Sequence, residues 1–557
     1  MKSPSLSPLG LALSLTFTGI SFGSTEATQA TSTEPVGEVV AAVIEGLSSE
    51  TAEDVTKSFV RVNATLQSFN AGQPWQRNSP TSRSGLGTII SKTEILITAE
   101  MVANQTYLEL RSADNFERVQ AEVVAIDYKA NLALIKPTKE GSFIDKLPAL
   151  ELGGPAEIGD QATIWQLEST GTPLQTLTTI RSVDTSSTFL PGNSFLTYIL
   201  RGSMQSASSS FTLPTVRDGK FLGLLTSYDS DDQTSEVIAP EIIATFLRDA
   251  RDGSYKGFPT LGCATQSIED LIFRDYLGLS EDSGGLFITR VQEDSPADIA
   301  GLEKGDVLLS VDGQRIDRRG YFKHPRYGLL PWTAIIRNDK IVGDEIKLSF
   351  FRDGEEKSTE ATLAAAPAQL VPSHIHDSPP PFYIKGGLVF QELSRSYLTA
   401  FGDKWSTRAP LSLLHALENP TDYEDSRDHI VFLSRVIPTP ITVGYDGFGG
   451  IVVDSVNDVA IRNINDLAAA LQEKPSNGIH KIELAGATPT LYLDAQYSDL
   501  IDKNFLEQGF PLLSRIPERP DSLKKQAAQL ESKEIESETP APTPEATDEI
   551  AEEKRAS

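Results

Sequence analysis

Short runs in which apolar and polar residues alternate dominate the first half of the chain. β-branched and aromatic residues recur there between turn residues, in segments such as "KSFVRVNATLQSF", "EILITAE", "NLALIKP" and "KFLGLLTSY". The region ends with "APEIIATFLRDA", in which a proline opens an apolar stripe at helical spacing. Many evenly spaced short strands before one helix predict a β-barrel, or a pair of barrels, over residues 51–254.

Two later regions share a different pattern. Residues 257–372 contain "GGLFITRVQEDSPADIAGLEKGDVLLSVDGQRI", and residues 373–515 contain "GGLVFQELS" and "GIVVDSVNDVAIRNINDLAAALQ". Each region has a Gly-Gly pair that enters an apolar strand, and later a Val-Asp or Val-Asn turn that leads to a helix. We interpret them as two distant versions of one α/β module.

The ends of the chain differ from this globular middle. Lys2 and the apolar run from Pro8 to Phe22 predict a secretory signal over residues 1–23, with an uncleaved anchor as the alternative. Residues 24–50 read as a polar linker, and residues 516–557 as an acidic, disordered tail. We therefore expect a secreted or periplasmic protein of the cell envelope, and the sequence leaves a eukaryotic organelle open.

Length, charge and cysteine content limit the kinds of protein that this chain can be. A chain of 557 residues is too long for one core and predicts three or four domains. Its 49 basic and 77 acidic residues give a net charge of −28, which argues against nucleic-acid binding. Cys263 is the one cysteine, so no intrachain disulfide is possible. We interpret it as a small buried apolar residue and not as a nucleophile.

The motifs of the later regions resemble a known family. Ser295-Pro296-Ala297, Gly301-Leu302 and Gly305-Asp306-Val307-Leu308 resemble the PDZ domains attached to HtrA/Deg serine proteases. The runs "LVPSHIHDSPPPFYIKGGLVFQELS" and "DVAIRNINDLAAAL" resemble the second, divergent PDZ domain of the Deg branch best known from plants. The resemblance covers Ala52 to Arg515. It implies a mainly β protein, with a chymotrypsin-like double β-barrel followed by two PDZ-type α/β modules, commonly trimeric and active in protein quality control.

The same resemblance predicts a dismantled catalytic triad. The histidine motif of the family falls on "TAEMV", which places Glu100 at the general base, and the aspartate motif falls on "NLALI", which places Asn131 at the orienting carboxylate. The nucleophile motif falls on "ASSSFTLP", where either Ser210 or Ser209 takes the serine position. On either count, serine, phenylalanine and threonine replace the glycines that shape the oxyanion hole of the family, and neither Phe211 nor Thr212 readily adopts a positive φ.

A census of histidines supports this interpretation. A serine hydroxyl needs a neighbouring base, and an ionised carboxylate cannot return a proton to the leaving amine. All six histidines lie at or beyond His324, so the predicted barrel region has none. Loss of such groups from a related triad costs about six powers of ten in turnover. We predict a pseudoprotease, a pseudoenzyme of the serine endopeptidase class, that acts as a peptide-binding scaffold or a chaperone-like partner.

Other interpretations remain open from the sequence. One is an active serine endopeptidase with an altered site, using Lys129 or Lys136 in a Ser/Lys dyad or Glu100 as a base. Another makes the barrel a structural spacer. No cofactor or metal is expected. We expect the His374–His376 pair in its Pro-rich link to be solvent-exposed and not to ligate metal.

The first module is the predicted peptide site. A PDZ domain adds an extended peptide to a strand edge and receives its carboxylate on backbone N–H groups of a glycine-containing loop. The resemblance places that loop at Leu261, Gly262 and Cys263, with "ATQS" as the pairing strand. Partners are therefore proteins or peptides. In the second module the equivalent place is Gly386–Val389, and its groove can be filled by the chain itself or by a neighbouring subunit.

Overall fold

A computed structural model describes residues 55–114, 116–168, 170–204, 212–251, 253–280, 282–486 and 489–518. The predicted signal (1–23), the linker (24–50) and the tail beyond residue 518 lie outside the described residues. The same is true of Ser209, Ser210 and Phe211. Within the described part, no helix is long and apolar enough to cross a membrane.

The first region of the chain forms a closed barrel with one hairpin added to it. Its strands are β1 (Phe59–Leu66), β2 (Phe69–Asn70), β3 (Gln73–Arg77), β4 (Thr81–Ile89), β5 (Ile95–Ile97), β6 (Gln105–Arg111), β7 (Arg118–Asp127) and β8 (Leu132–Pro137). The barrel order is β1-β4-β5-β8-β7-β6, and β2 and β3 form the separate hairpin. Alternate residues of β1, such as Val60 and Val62, point into the barrel and pack with Ile95 and Ile97. A 3₁₀ turn, Ala99–Met101, follows β5.

A second closed barrel and its terminal helix come next. The strands are β9 (Gln161–Leu167), β10 (Pro173–Ser186), β11 (Phe195–Arg201), β12 (Leu213–Arg217), β13 (Lys220–Asp229) and β14 (Thr234–Ile238), followed by α1 (Pro240–Arg251). Their order is β10-β11-β14-β13-β12-β9. Helix α1 buries Ile242, Ile243 and Phe246, the apolar face seen in the sequence. The predicted pair of barrels is confirmed.

The first module carries a sheet with an open edge. Its elements are β15 (Pro259–Thr260), β16 (Cys263–Gln266), α2 (Leu271–Tyr276), β17 (Leu286–Val291), α3 (Pro296–Ile299), β18 (Val307–Val311), β19 (Gln314–Arg315), β20 (Tyr321–His324), β21 (Gly328–Pro331), α4 (Thr333–Arg337), β22 (Glu345–Arg352), β23 (Glu355–Thr362) and β24 (Ala364–Ala365). The main sheet runs β16-β17-β18-β22-β23. The turn between β20 and β21 contains Tyr327, whose hydroxyl donates to the Glu241 carboxylate of α1 at 2.5 Å.

The second module has a longer sheet. Its elements are β25 (Phe382–Lys385), β26 (Leu388–Glu392), α5 (Arg395–Thr399), α6 (Trp405–Arg408), α7 (Leu411–Glu418), β27 (Val431–Val436), β28 (Ile451–Val456), β29 (Val459–Ala460), α8 (Ile464–Gln472), β30 (Ile479–Leu484), β31 (Leu491–Asp494), α9 (Ala495–Glu507) and β32 (Ser514–Arg515). The order is β31-β30-β28-β27-β26-β25-β32. The predicted helix near residues 465–472 is α8, capped by Asn463, whose Oδ1 accepts from the N–H groups of Asn465 and Asp466.

The hairpin β2–β3 joins the first barrel to the second module. Trp75 of β3 is only 8% exposed, and its ring lies 5.9 Å from Phe382 of β25 and 4.9 Å from Phe510. Arg515 of β32 donates to the carbonyl of Pro74 at 3.0 Å. No local pattern predicts this contact, because its two sides are separated by most of the chain.

Candidate functional site

The two barrel positions predicted for the triad lie side by side. Glu100 sits in the 3₁₀ turn that follows β5, and Asn131 directly precedes β8. Strands β5 and β8 pair antiparallel, with Ile97 opposite Ala133, so the end of one meets the start of the other. As a result, the backbone N–H of Glu100 donates to Oδ1 of Asn131 at 2.9 Å.

The buried position of Asn131 requires a side chain that both accepts and donates a hydrogen bond, and an amide does both. It is fully buried with φ at 56°, a conformation that asparagine tolerates better than most residues. Its Oδ1 accepts from Glu100, while its Nδ2 donates to the carbonyl of Thr188 at 3.3 Å. A carboxylate would lack the donor that the Thr188 carbonyl needs. The side chain therefore holds two backbone segments together and has no proton to relay.

Glu100 pairs with an arginine. Arg83 lies on β4, and its Nη1 is 3.5 Å from Oε1 of Glu100 and donates to the Glu100 carbonyl at 2.5 Å. Burial raises the pKa of the Glu100 carboxyl above its ordinary value, and the charge of Arg83 opposes that shift. The carboxylate is thus held in an ion pair beside Asn131.

The turn expected to carry the nucleophile is described only from Thr212 onward. Ser209 and Ser210 lie outside the described residues. Thr212 is fully buried, and its Oγ1 accepts from the Thr98 N–H at 3.2 Å and donates to the Leu86 carbonyl at 3.4 Å. Its own carbonyl accepts from the Leu86 N–H at 3.2 Å. These bonds tie the second barrel to β4 and β5 at this point.

The linker histidines are not exposed as the sequence suggested. His374 and His376 are half-buried, and the His376 ring lies 4.5 Å from Tyr128 and 5.4 Å from Phe189 of the barrels. The expectation was wrong because the aromatic partners are distant in the chain, and a Pro-rich flank carries no sign of them. Among the described residues, no cluster of three or more His, Cys, Asp or Glu side chains could hold a metal ion.

The predicted peptide loop lies at the open edge of the first module. Gly262 has φ at 78°, and a Cβ there would come within 2.3 Å of the Ser295 Cβ. The Gly262 carbonyl accepts from the Gln292 N–H at 2.9 Å, which anchors the loop. Leu261 is buried in the module core. Strand β16 pairs with β17 on one side, and in the described part of the chain no strand covers its other side.

Cys263 opens β16 and packs against the module core. Burial raises the pKa of its thiol to about 12, so the thiolate is scarce at neutral pH. The residue contributes backbone and packing at the groove and offers no reactive sulfur.

The equivalent edge of the second module is filled by the chain itself, because β26, the strand that follows Gly386 and Gly387, pairs with β25 on that side and with β27 on the other. Strand β32 pairs antiparallel with β25, with Arg515 opposite Phe382 and Ser514 opposite Tyr383. The Ile384 N–H donates to the Leu513 carbonyl at 2.7 Å and extends the pairing. Of the two occupants left open by the sequence, this structure has the chain itself on that edge, in the form of β25, and the C-terminal strand β32 covers the outer side of β25.

Comparisons with known proteins agree with this architecture. Residues 371–508 and residues 287–321 each match a family model described as "PDZ domain". "Protease Do-like 2, chloroplastic" of Arabidopsis thaliana is 25% identical over 418 residues, covering 73% of this chain and 67% of the relative. "Protease Do-like 4, mitochondrial" of the same plant is 24% identical over 450 residues, covering 76% and 80%.

Bacterial proteins are similar as well. "Probable periplasmic serine endoprotease DegP-like" of Ectopseudomonas mendocina is 24% identical over 418 residues, covering 72% of this chain and 77% of the relative. Among solved structures, "HtrA-type protease AlgW with decapeptide" is 18% identical with a TM-score of 0.43, covering 57% of this chain and 98% of that one.

Proposed function

Because the chain belongs to the HtrA/Deg family of double-PDZ serine-protease homologues, we propose that it is a catalytically inactive member that binds proteins or peptides. In this role it serves as a scaffold or a chaperone-like quality-control partner. The N-terminal signal pattern supports a place in the cell envelope, and the family resemblance supports a homotrimer.

The observation that carries the proposal is the replacement of the proton-transfer groups. Glu100 occupies the position of the base, and its carboxylate pairs with Arg83. Asn131 occupies the position of the orienting acid, and both ends of its amide are bonded to backbone. Imidazole suits proton transfer because its pKa lies near the working pH, and neither of these side chains has that property.

One imidazole does reach this part of the barrel, from the linker. His376 is stacked against Tyr128 and Phe189, and burial lowers the pKa of its ring to about 4. A ring with so low a pKa is a weak base at neutral pH. Its Nδ1 lies 3.3 Å from the Asn104 amide nitrogen. This position favours a packing role for the His376 ring. In an active enzyme with an altered site, the ring would instead have to accept a proton from the nucleophile.

A fluorophosphonate probe, which labels activated serines, tests the catalytic half of the proposal. We expect no labelling of Ser209 or Ser210 and no cleavage of unfolded casein, while an active HtrA-type protease measured in parallel gives both. An adduct on either serine, located by mass spectrometry, would contradict the proposal and support an active endopeptidase. The spacer interpretation is tested separately, by peptide binding.

Peptide binding is supported by the open edge of β16 and the fixed loop before it. We expect Gly262→Ala to weaken binding of an apolar C-terminal peptide by at least about tenfold, because the new Cβ overlaps Ser295 and shifts the loop. Fluorescence anisotropy with a labelled peptide measures this. Gly278→Ala is the matched control, since Gly278 has a similar φ of 75° but open space around its Cβ. Equal affinities for both variants, or no binding by the unchanged protein, would contradict the peptide role.

A further inference from the structure

The linker between the two PDZ modules lies against the barrels beside the replaced triad. Tyr128 precedes Asn131 by three positions, and Phe189 follows Thr188, whose carbonyl accepts from Asn131. The rings of Tyr128 and Phe189 are 6.4 Å apart, and the His376 ring stacks against both. The linker thus covers the aromatic surface next to Glu100 and Asn131.

Asp377 fixes the linker to that surface by hydrogen bonds. Its Oδ1 accepts from the Asn104 N–H at 2.7 Å, and its own N–H donates to Oδ1 of Asn104 at 3.1 Å. Its Oδ2 accepts from the Tyr128 hydroxyl. Three bonds to two barrel residues set the position of the segment, and His376 is then held within the aromatic contact.

The surroundings of His374 and His376 disfavour a positive charge on either imidazole ring. The rings of His374 and His376 are nearly parallel, with centroids 6.0 Å apart. Within the described residues, His374 Nδ1 and His376 Nε2 are buried without a hydrogen-bond partner. A protonated nitrogen at either place would be an unpaired buried donor, and two protonated rings would repel each other.

The surrounding charges add to this effect. Arg83 of β4 acts on His376 and Arg395 of α5 acts on His374, and both cations disfavour a charged ring, whereas Asp377 favours one on His376. A cavity of about 350 Å³ lies behind the segment, lined by Asn104, both histidines, Glu392 and Tyr397, among others.

We propose that residues 373–377 form a latch that closes on the barrel beside the replaced triad while His374 and His376 are neutral, and opens when they are protonated. The open latch exposes Tyr128 and Phe189 as an aromatic surface. The proposal concerns the linker and the barrels, so it stands whether or not the first PDZ module binds peptides.

The direction of the pH effect follows from the histidines. Burial is the main reason why the pKa of each imidazole is lowered. The pKa of His376 falls to about 4. A histidine with a lowered pKa stabilises the closed state fully above the ordinary value of about 6.5, and this contribution is lost as the pH falls toward 4. From His376 alone, the closing equilibrium at pH 5 should be about 30-fold weaker than at pH 7.5.

Hydrogen exchange on the full-length protein tests the latch. The amides of Asn104 and Asp377 report on it directly, because each is bonded across the contact. After correction for the intrinsic rate at each pH, we expect their protection to fall by about 30-fold between pH 7.5 and pH 5. Amides of the β2–β3 hairpin should keep their protection over this range.

Three variants distinguish opening of the latch from a general loss of protection at acid pH. His376→Phe keeps a stacking ring that cannot titrate, so its protection should change by no more than a few-fold between the two pH values. His415→Phe removes an exposed histidine of α7 and should behave like the unchanged protein. Tyr128→Phe removes the bond to Asp377 and should lower protection already at pH 7.5. Constant protection of the unchanged protein from pH 7.5 to 4.5, or the same acid loss in His376→Phe, would overturn the proposal.

Discussion

Replacing Trp75 with alanine is expected to lower the stability of the second PDZ module by about 3–5 kcal/mol, the usual cost of truncating a buried tryptophan. The indole lies in a cluster formed with Phe382, Ile384 and Val389, with Phe510 packed against it. Because Trp75 belongs to the barrel hairpin and the other residues of the cluster belong to the module, the cavity would form where the hairpin and the module are joined.

A multidomain chain does not unfold in one step, so the measurement must be local. Hydrogen exchange of the β25 and β26 amides in a urea series reports on the module itself. Phe116→Ala is the matched control, since that ring is 87% exposed and its loss should cost less than about 0.5 kcal/mol. If both variants moved the midpoint equally, the hairpin would not support the module.

Replacing Lys385 with methionine is expected to cost about 3–5 kcal/mol, because it removes the cation from a buried group of charges. The Lys385 side chain is 8% exposed, and its Nζ lies 2.5 Å from Asp499 and 3.1 Å from Asp502 of α9. Asp502 also accepts from the Gly386 N–H at 2.8 Å, so the group holds the β25–β26 turn against the helix. Without the ammonium, the Asp502 carboxylate would stay buried and unpaired.

The loss should depend on pH in a defined direction. Burial raises the pKa of the Asp502 carboxyl even with Lys385 present, and removing the cation raises it further. A carboxyl with a raised pKa stabilises the fold at low pH, and this contribution is lost as the pH rises. The defect of Lys385→Met should therefore be smaller at pH 5 than at pH 8 in urea unfolding.

Lys503→Met provides the comparison on the same helix. Lys503 is 72% exposed and pairs with Glu507 at 3.7 Å, an interaction worth less than about 0.5 kcal/mol. It should leave the midpoint and its pH dependence unchanged. A Lys385→Met defect that grew on acidification would contradict the role of Lys385 as the counterion of these carboxylates, because the pKa of Asp499 is lowered by Lys385 and that stabilising contribution is also lost as the pH falls.

The candidate site was predictable where it depended on residue type and local pattern. The family resemblance assigned Glu100 and Asn131 to two positions of one triad, and the pairing of β5 with β8 places them within one hydrogen bond. Gly262 was likewise expected at a turn, and its φ of 78° is one that glycine adopts at little cost. A family resemblance carries such information because a motif of a few neighbouring residues marks one place in a fold.

The contacts around the linker could not be predicted from local sequence patterns. His376 meets Tyr128 and Phe189, and Asp377 meets Asn104, across separations that no local pattern records. The pairing of β32 with β25 and the insertion of Trp75 are of the same kind. Each depends on how complete elements pack, and a short polar or Pro-rich stretch looks the same whether solvent or a barrel lies beside it.

By itself, the sequence predicted one barrel or a pair from its periodicity, implied two PDZ modules through a family resemblance, and showed by composition that no histidine precedes His324. Neighbouring residues and residue counts carry all of this, because they are properties of the chain alone. Only the tertiary structure decided what Glu100 and Asn131, at the predicted triad positions, bond to, which strand fills the groove of the second module, and where the linker histidines lie. These are long-range contacts, and their free energy comes from surfaces that exist only after the elements have packed.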